Sequence, residues 1–177
     1  MEDISIERSD RFDKFNDYFK SYINRVSDSE LLVVLVYQVK TLNALLENIS
    51  EEQSEFRYAE GKWSIKELLL HITDTERIMS YRALRAARND STLMPSFDEN
   101  AFVAESFASE RRFESILNEW NAARNSVICL FEDLNEIQLA RIGKFSGSEL
   151  SVEGIGYLIA GHLLHHVEVL NTRYNMK

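Results

Sequence analysis

Apolar residues recur every three or four positions through four long stretches of the 177-residue chain. From Ser151 to Tyr174 they fall on one side of a helix that turns by about 100° per residue, at Val152, Ile155, Ile159, Leu163, Val167 and Leu170. His162 and His166 are four positions apart at the edge of this stripe, so one ring lies above the other. The pattern predicts a buried helix that carries two imidazoles on one side.

Two other helices are predicted to begin with a capping box, in which a serine and a glutamate three residues later accept each other's backbone N–H groups. Ser27 and Glu30 form the first box, and this helix is expected to extend to about Ile49. Val26 and Leu31 flank the box as a hydrophobic staple.

Ser64 and Glu67 form the second box, and the helix that follows is expected to end near residue 89. Trp63 precedes this box and is expected to pack on Leu68 as its staple. The apolar stripe of the helix consists of Ile65, Leu68, Leu69, Ile72, Met79, Ala83 and Ala86. His71 lies at the border of that stripe, which makes it the third histidine placed beside a predicted core face.

A third helix is expected from about Glu110 to Leu134, with inward-facing Phe113, Ile116, Leu117, Trp120, Val127 and Phe131. Residues 91–107, which precede it, form the longest irregular stretch and contain the only proline, Pro95. Connections of this length are uncommon and often functional. Two interpretations stay open: a crossover between parallel helices, or one that also covers a pocket mouth and brings Asp98 and Glu99 near it.

Residues 135–150 are predicted to form a turn and then a polar loop with two glycines. Four helices with one apolar face each bury those faces against one another, so the sequence predicts an all-α four-helix bundle with a long connection between the second and third helices. One proline and six glycines are few for a sheet-rich fold with many tight turns. A single domain over residues 1–177 is expected, with the aromatic-rich segment 1–26 packed across the bundle.

Charge, cysteine content and the length of apolar runs indicate which partners and which cell compartment to expect. With 20 basic and 29 acidic residues the net charge is −9, which disfavours nucleic-acid binding. The single cysteine, Cys129, forms no intramolecular disulfide and fits a reducing compartment as a free thiol at the surface or at an interface. The N-terminus has no secretory pattern, and the longest apolar run, from Leu31 to Tyr37, is too short for a bilayer. A cytoplasmic protein without membrane contact is expected.

Inward side chains on facing helices build the functional sites of such bundles. His71, His162 and His166 would converge from two helices as three imidazoles with one coordination position left open, the pattern of a catalytic metal. Such ligands suit zinc, nickel, iron or copper. The alternative is a buried structural histidine cluster. His165 points away from the stripe, so we expect it at the surface or beside a ligand, and no general base stands out.

Glu76 falls within the apolar stripe of the second helix, where a carboxylate needs a partner. An ion pair with Arg82 or Arg85 is the favoured interpretation, and hydrogen bonding to a ligand histidine is the alternative. The arginine run that ends with Arg88 is expected to be a solvated helix face, with contact between one arginine and an anionic substrate group as the alternative.

The segments GKWSIKELLLHITDTERIMSYRALRAAR, PSFDENAFV and AGHLLHHVEVLNTRY, in this order, resemble the DinB family, above all its YfiT-like members described as metal-dependent hydrolases. The resemblance extends from about Glu30 to Tyr174. It implies a four-helix bundle, a homodimer, and one divalent metal held by three residues. Those positions fall on His71, His162 and His166, with zinc or nickel favoured and iron or manganese as alternatives.

The resemblance also implies an activity on a small molecule. Some members of the family transfer a low-molecular-weight thiol to an electrophile, and others are described as hydrolases. The metal would activate the thiol or a water molecule. Two other classes stay open: a non-enzymatic metal-binding stress-response protein and a helical interaction module.

Overall fold

A computed structural model of the chain describes residues 12, 15–26, 29–145 and 148–176. In chain order its elements are α1 (Asp17–Ile23), α2 (Leu31–Leu46), α3 (Glu51–Ser54), α4 (Ile65–Ala87), α5 (Glu99–Ala104), a 3-10 turn (Ala108–Glu110), α6 (Phe113–Glu132), α7 (Glu136–Leu139), β1 (Ile142–Phe145), β2 (Ser148–Ser151) and α8 (Val152–Arg173).

The four long helices form a bundle, which confirms the predicted fold. Helix α2 packs against α6 and α8, and α4 packs against the same two helices, so α2 and α4 occupy opposite corners. The starts of α4 and α6 lie together, because the Glu51 carboxylate binds both the Lys66 ammonium and the Phe113 N–H. Helices α4 and α6 are therefore parallel, and the long connection between them is a crossover.

Local signals placed two of the long helices correctly. Ser64 and Glu67 form the predicted capping box at the start of α4, and Ser151 caps α8 through the backbone N–H of Gly154. The predicted start of the first long helix was wrong. It begins at Leu31, where Glu30 is the N-cap and makes no side-chain capping bond, and Ser27 lies outside the described residues.

The predicted polar loop before α8 is a β-hairpin. Strands β1 and β2 pair antiparallel, with Gly143 opposite Leu150 and Phe145 opposite Ser148. Phe145 and Leu150 are buried in the core, and Met94 bridges to Phe145. The crossover is also more regular than predicted, because α5 lies within it and is capped by Asp98, whose side chain accepts two backbone N–H groups.

The described part of the N-terminal segment packs on α8. Phe12 and Phe15 are buried, and Phe15 lies where a side chain on Gly154 would stand. Helix α1 approaches α8 at Gly161 so closely that a Cβ there would lie 2.0 Å from the Tyr22 carbonyl oxygen. Glycine at this position is therefore what lets α1 lie against the histidine-bearing helix.

Two surface properties bear on the surroundings of the protein. Cys129 is an exposed free thiol on α6. Among the described residues, no helix has both the length and the apolar character that crossing a bilayer requires.

Candidate metal centre

Three histidine rings meet between α4 and α8. The Nε2 atoms of His71 and His166 each lie 3.1 Å from Nε2 of His162. One nitrogen from each ring lies within 4.8 Å of the other two. All three residues are buried, with 7 to 8% of their surface exposed. The packing of two helices therefore joins residues that are 91 positions apart in the chain.

Hydrogen bonds among the three rings do not account for both of these short distances. A neutral imidazole Nε2 carries either one N–H or one lone pair, so Nε2 of His162 makes a good hydrogen bond to only one of its neighbours. A tetrahedral zinc site with Zn–N bonds of 2.0–2.1 Å separates its ligand nitrogens by about 3.3 Å. The observed separations are close to that value, so the three residues fit a divalent transition metal.

The electrostatic setting keeps the rings neutral. Burial, and after it the nearby His165, lowers the pKa of His71 from 6.5 to about 4. Burial, followed by neighbouring rings, lowers the pKa of His162 and of His166 well below 6.5. At neutral pH the Nε2 lone pairs are therefore available to a cation without loss of a proton from an imidazolium.

Aromatic packing orients the rings. The Trp63 ring centre lies 4.7 Å from that of His71, and the Tyr22 ring centre lies 5.5 Å from that of His162. His165 is half-buried beside the cluster, with its ring centre 4.9 Å from that of His166. Nδ1 of His166 is buried and has no hydrogen-bond partner among the described residues. Packing, more than hydrogen bonding, thus holds the rings.

Glu76 belongs to a polar network in the middle of the bundle. Its carboxylate accepts from Arg124 Nε at 3.0 Å and Nη2 at 2.6 Å, and from Trp120 Nε1 at 2.9 Å. Arg124 also donates to Gln38 Oε1, and Gln38 Nε2 donates to the carbonyl oxygen of Ala160. The network thus connects α2, α4, α6 and α8 just before the histidines of α8.

The expected ion pair of Glu76 exists, but the predicted partners were wrong. Arg85 instead pairs with Asp90, and Arg82 donates to the carbonyl oxygen of Pro95. Among the described residues, the Glu76 carboxylate accepts hydrogen bonds from Arg124 and Trp120 and not from a histidine, so a direct role in orienting a ligand stays a prediction.

A cavity of about 310 Å³ opens onto the three histidines. Tyr18 and Tyr22 of α1 form one wall, and Ser96, Phe97 and Glu99 of the crossover form another. The crossover therefore also borders a pocket, in agreement with the second interpretation of the sequence. Sequence reasoning did not identify the aromatic residues of α1 as pocket residues, because that required knowing that α1 lies on Gly161.

Helix α4 forms the remaining side of the cavity through His71, Thr75, Met79 and Arg82. The prediction of a solvated arginine face was wrong for Arg82, which is 5% exposed. Thr75 is also buried, and its hydroxyl has no hydrogen-bond partner among the described residues. Along α4, His71, Thr75, Met79 and Arg82 follow one another at intervals of three or four residues, and this spacing was the sequence signal that they share one face of the helix.

A four-helix bundle with three converging histidines between two of its helices defines a class of helical proteins built around a divalent-metal site. The sequence model of the DinB superfamily matches residues 34–170. The chain therefore belongs to the DinB superfamily.

The known proteins that are similar to the chain include the following two. One, from Oceanobacillus iheyensis, is named "putative metal-dependent hydrolase" and is 25% identical over 128 residues, which are 71% of this chain and 73% of that protein. The other is the structure of YfiT from Bacillus subtilis, described as a probable metal-dependent hydrolase with an unusual four-helix bundle topology. It matches with a TM-score of 0.72 and 18% identity over 83% of this chain and 87% of that chain, and it shows a shared fold.

Proposed function

We propose that this protein is a metal-dependent enzyme that acts on a small molecule at a centre formed by His71, His162 and His166. The observation that carries the proposal is the convergence of three neutral imidazole nitrogens at the edge of a cavity. We propose zinc or nickel as the metal, because borderline imidazole ligands suit these two ions. Iron and manganese are the alternatives.

A divalent ion held by three imidazoles supplies Lewis-acid activation of water or of a thiol near neutral pH. The protein side chains contribute the surroundings. The three rings provide neutral ligands, and Trp63 and Tyr22 pack against two of them. The cavity holds the substrate beside the rings. The substrate and the activated nucleophile are then already in position to react with each other.

The reaction we favour is hydrolysis, which the name of the O. iheyensis relative supports. Transfer of a low-molecular-weight thiol to an electrophile is the second candidate, and it rests on the resemblance of the histidine motifs alone. By the same resemblance we propose a homodimer. The cytoplasm is the compartment we propose, and nucleic acid is not a proposed partner, because the chain has one free cysteine and a net charge of −9.

Elemental analysis of protein purified without chelator tests the metal centre. We expect close to one divalent ion per chain, and a large loss of metal in His162→Ala and His166→Ala. His165→Ala is the matched control, because its ring lies beside the cluster. Loss of metal in His165→Ala equal to that in His166→Ala would show that the wrong histidine was assigned.

Turnover separates the enzyme from the alternatives. The metal-loaded protein is screened by thermal shift against small thiols, their conjugates and ester or amide substrates, and the compounds that bind are assayed for turnover. Turnover that is absent in His162→Ala supports the enzyme. Full metal content without turnover of any bound compound favours a non-enzymatic metal-binding protein. Unchanged folding and partner binding of a metal-free His162→Ala protein favours an interaction module.

A further inference from the structure

Arg82 is a buried cation on the wall of the cavity. Its side chain lies on the same face of α4 as His71, Thr75 and Met79. The guanidinium carbon lies 4.5 Å from the centre of the Phe145 ring, and Nη2 donates to the Pro95 carbonyl oxygen at 2.6 Å. These contacts hold the group in place at the wall of the cavity.

Arg82 differs in its partners from Arg124, the other buried arginine among the described residues. Arg124 pairs with Glu76, whereas Arg82 forms no ion pair with any described carboxylate. Glu99 lines the same cavity but is exposed and does not pair with Arg82. A guanidinium remains charged in proteins, and an unpaired buried charge is unfavourable. The missing counter-charge therefore has to come from outside the described chain.

Hydrogen-bond donors also remain in surplus. A guanidinium has five N–H groups, and in Arg82 only the bond to Pro95 and a weak contact from Nη1 to Met79 Sδ at 3.6 Å use them. The Thr75 hydroxyl, between His71 and Arg82 on α4, is buried without a partner in the described part of the chain. Buried polar groups without partners are rare in folded proteins, so the unpartnered Thr75 hydroxyl, on the same cavity wall as the Arg82 guanidinium that pairs with no described carboxylate, indicates a ligand.

We propose that Arg82 binds an anionic group of the substrate, a carboxylate or a phosphate, and that Thr75 hydrogen-bonds the same molecule nearer the histidines. A guanidinium binds either anion through two parallel N–H···O bonds. His71 and Arg82 are eleven positions apart, which corresponds to about 16 Å of backbone rise along the helix, so we propose an elongated substrate with its anionic group at the end opposite the reacting atoms. This proposal rests on the proposed function, because it takes the cavity at the three histidines to be the substrate site.

A purely structural role for Arg82 predicts something different. In that case the guanidinium only fastens the crossover through Pro95 and Phe145, and its loss lowers stability without changing the binding of anions. Measuring anion binding and stability on the same variants separates the two roles.

The experiment is calorimetric titration of the zinc-loaded full-length protein with adipate, with inorganic phosphate, and with the neutral analogue adipamide. We expect an anion to bind and adipamide not to bind, and the two anion arms show which anionic group the site prefers. In Arg82→Met the dissociation constant for that anion should rise by about tenfold or more, because charge-assisted hydrogen bonds are lost. Thr75→Val should weaken the binding of adipate by a smaller factor.

Arg85→Met is the matched control, because Arg85 lies one turn further along α4 and pairs with Asp90. Its affinity for the anion should equal that of the wild type. If Arg82→Met does not fold, Arg82→Gln and Thr75→Val provide the comparison, with circular dichroism as the folding check.

Equal anion affinity in the wild type and in the Arg82 variant overturns the proposal, and so does the absence of binding by either anion. Elemental analysis of the same samples tests the proposed function separately. Full metal content without anion binding refutes only the role of Arg82. Anion binding that depends on Arg82 in a protein that takes up no metal refutes the metal centre and leaves the anion site intact.

Discussion

Replacing Arg124 with methionine is expected to destabilise the protein strongly. The substitution leaves the Glu76 carboxylate, which is 1% exposed, with the Trp120 N–H as its remaining donor. Breaking a buried ion pair by removing one partner costs about 3–5 kcal/mol, because the other charge stays buried without compensation. The Gln38 side-chain oxygen also loses its donor, which adds about 1 kcal/mol.

Urea unfolding at pH 7 measures this loss, and a double-mutant cycle assigns it. Arg124→Met alone should lower the free energy of unfolding by at least about 3 kcal/mol. Adding Glu76→Gln removes the carboxylate charge that Arg124→Met leaves unpaired. The double variant should therefore be clearly more stable than the sum of the two single effects predicts. Arg77→Met is the control, because Arg77 pairs with Glu119 at the surface and should change stability by less than about 1 kcal/mol.

A change below about 1 kcal/mol in Arg124→Met, or additive effects in the double variant, would refute the proposed importance of the buried pair. Metal content is an independent readout. It should be unchanged in a folded Glu76→Gln protein, since the carboxylate binds Arg124 and Trp120. A large loss of metal would instead assign Glu76 to the orientation of a ligand.

Three further predictions follow from single contacts. Burial lowers the pKa of His71 from 6.5 to about 4, so as the pH falls the unfolded chain binds a proton at this residue before the folded protein does. Metal-free protein should therefore lose about 3 kcal/mol of stability from His71 between pH 7 and pH 4. Urea unfolding in chelator checks this, and a pH dependence unaltered in His71→Gln contradicts it. Gly161→Ala should cost about 1–3 kcal/mol by the same assay, because the new Cβ meets the Tyr22 carbonyl oxygen; an unchanged midpoint would mean that α1 moves freely. Alkylation of the exposed Cys129 should leave the metal content unchanged by elemental analysis, and metal release would place this thiol at the centre.

The fold was predictable because its main signals are local. Helical periodicity identified the four apolar faces, and such faces become buried only against one another. The box at Ser64 and Glu67 was readable because both partners lie within one turn. The same pattern at Ser27 and Glu30 predicted a start three residues too early, since the helix begins only at Leu31.

Contacts between distant segments were the part that the sequence did not determine. Strands β1 and β2 have four residues each, which is too short for alternation to distinguish a strand from a loop. The partner of Glu76 depends on the rotation of α6 against α4, so Arg124 was not foreseen. Arg82 was assigned to a solvated face because nothing local shows that the crossover and Phe145 cover it.

The histidine cluster was predictable in part. The border positions of His71, His162 and His166 on two apolar stripes indicated that the rings would be close, and the family resemblance indicated that they would share an ion. Their proximity is observed, whereas the bound ion is a proposal.

Anomalous diffraction from crystals grown with one equivalent of zinc tests the proposed centre most directly. We predict one strong peak between α4 and α8, at about 2.0–2.1 Å from Nε2 of His71, His162 and His166. Zinc at other residues, or an absence of density between these three rings, would contradict the account.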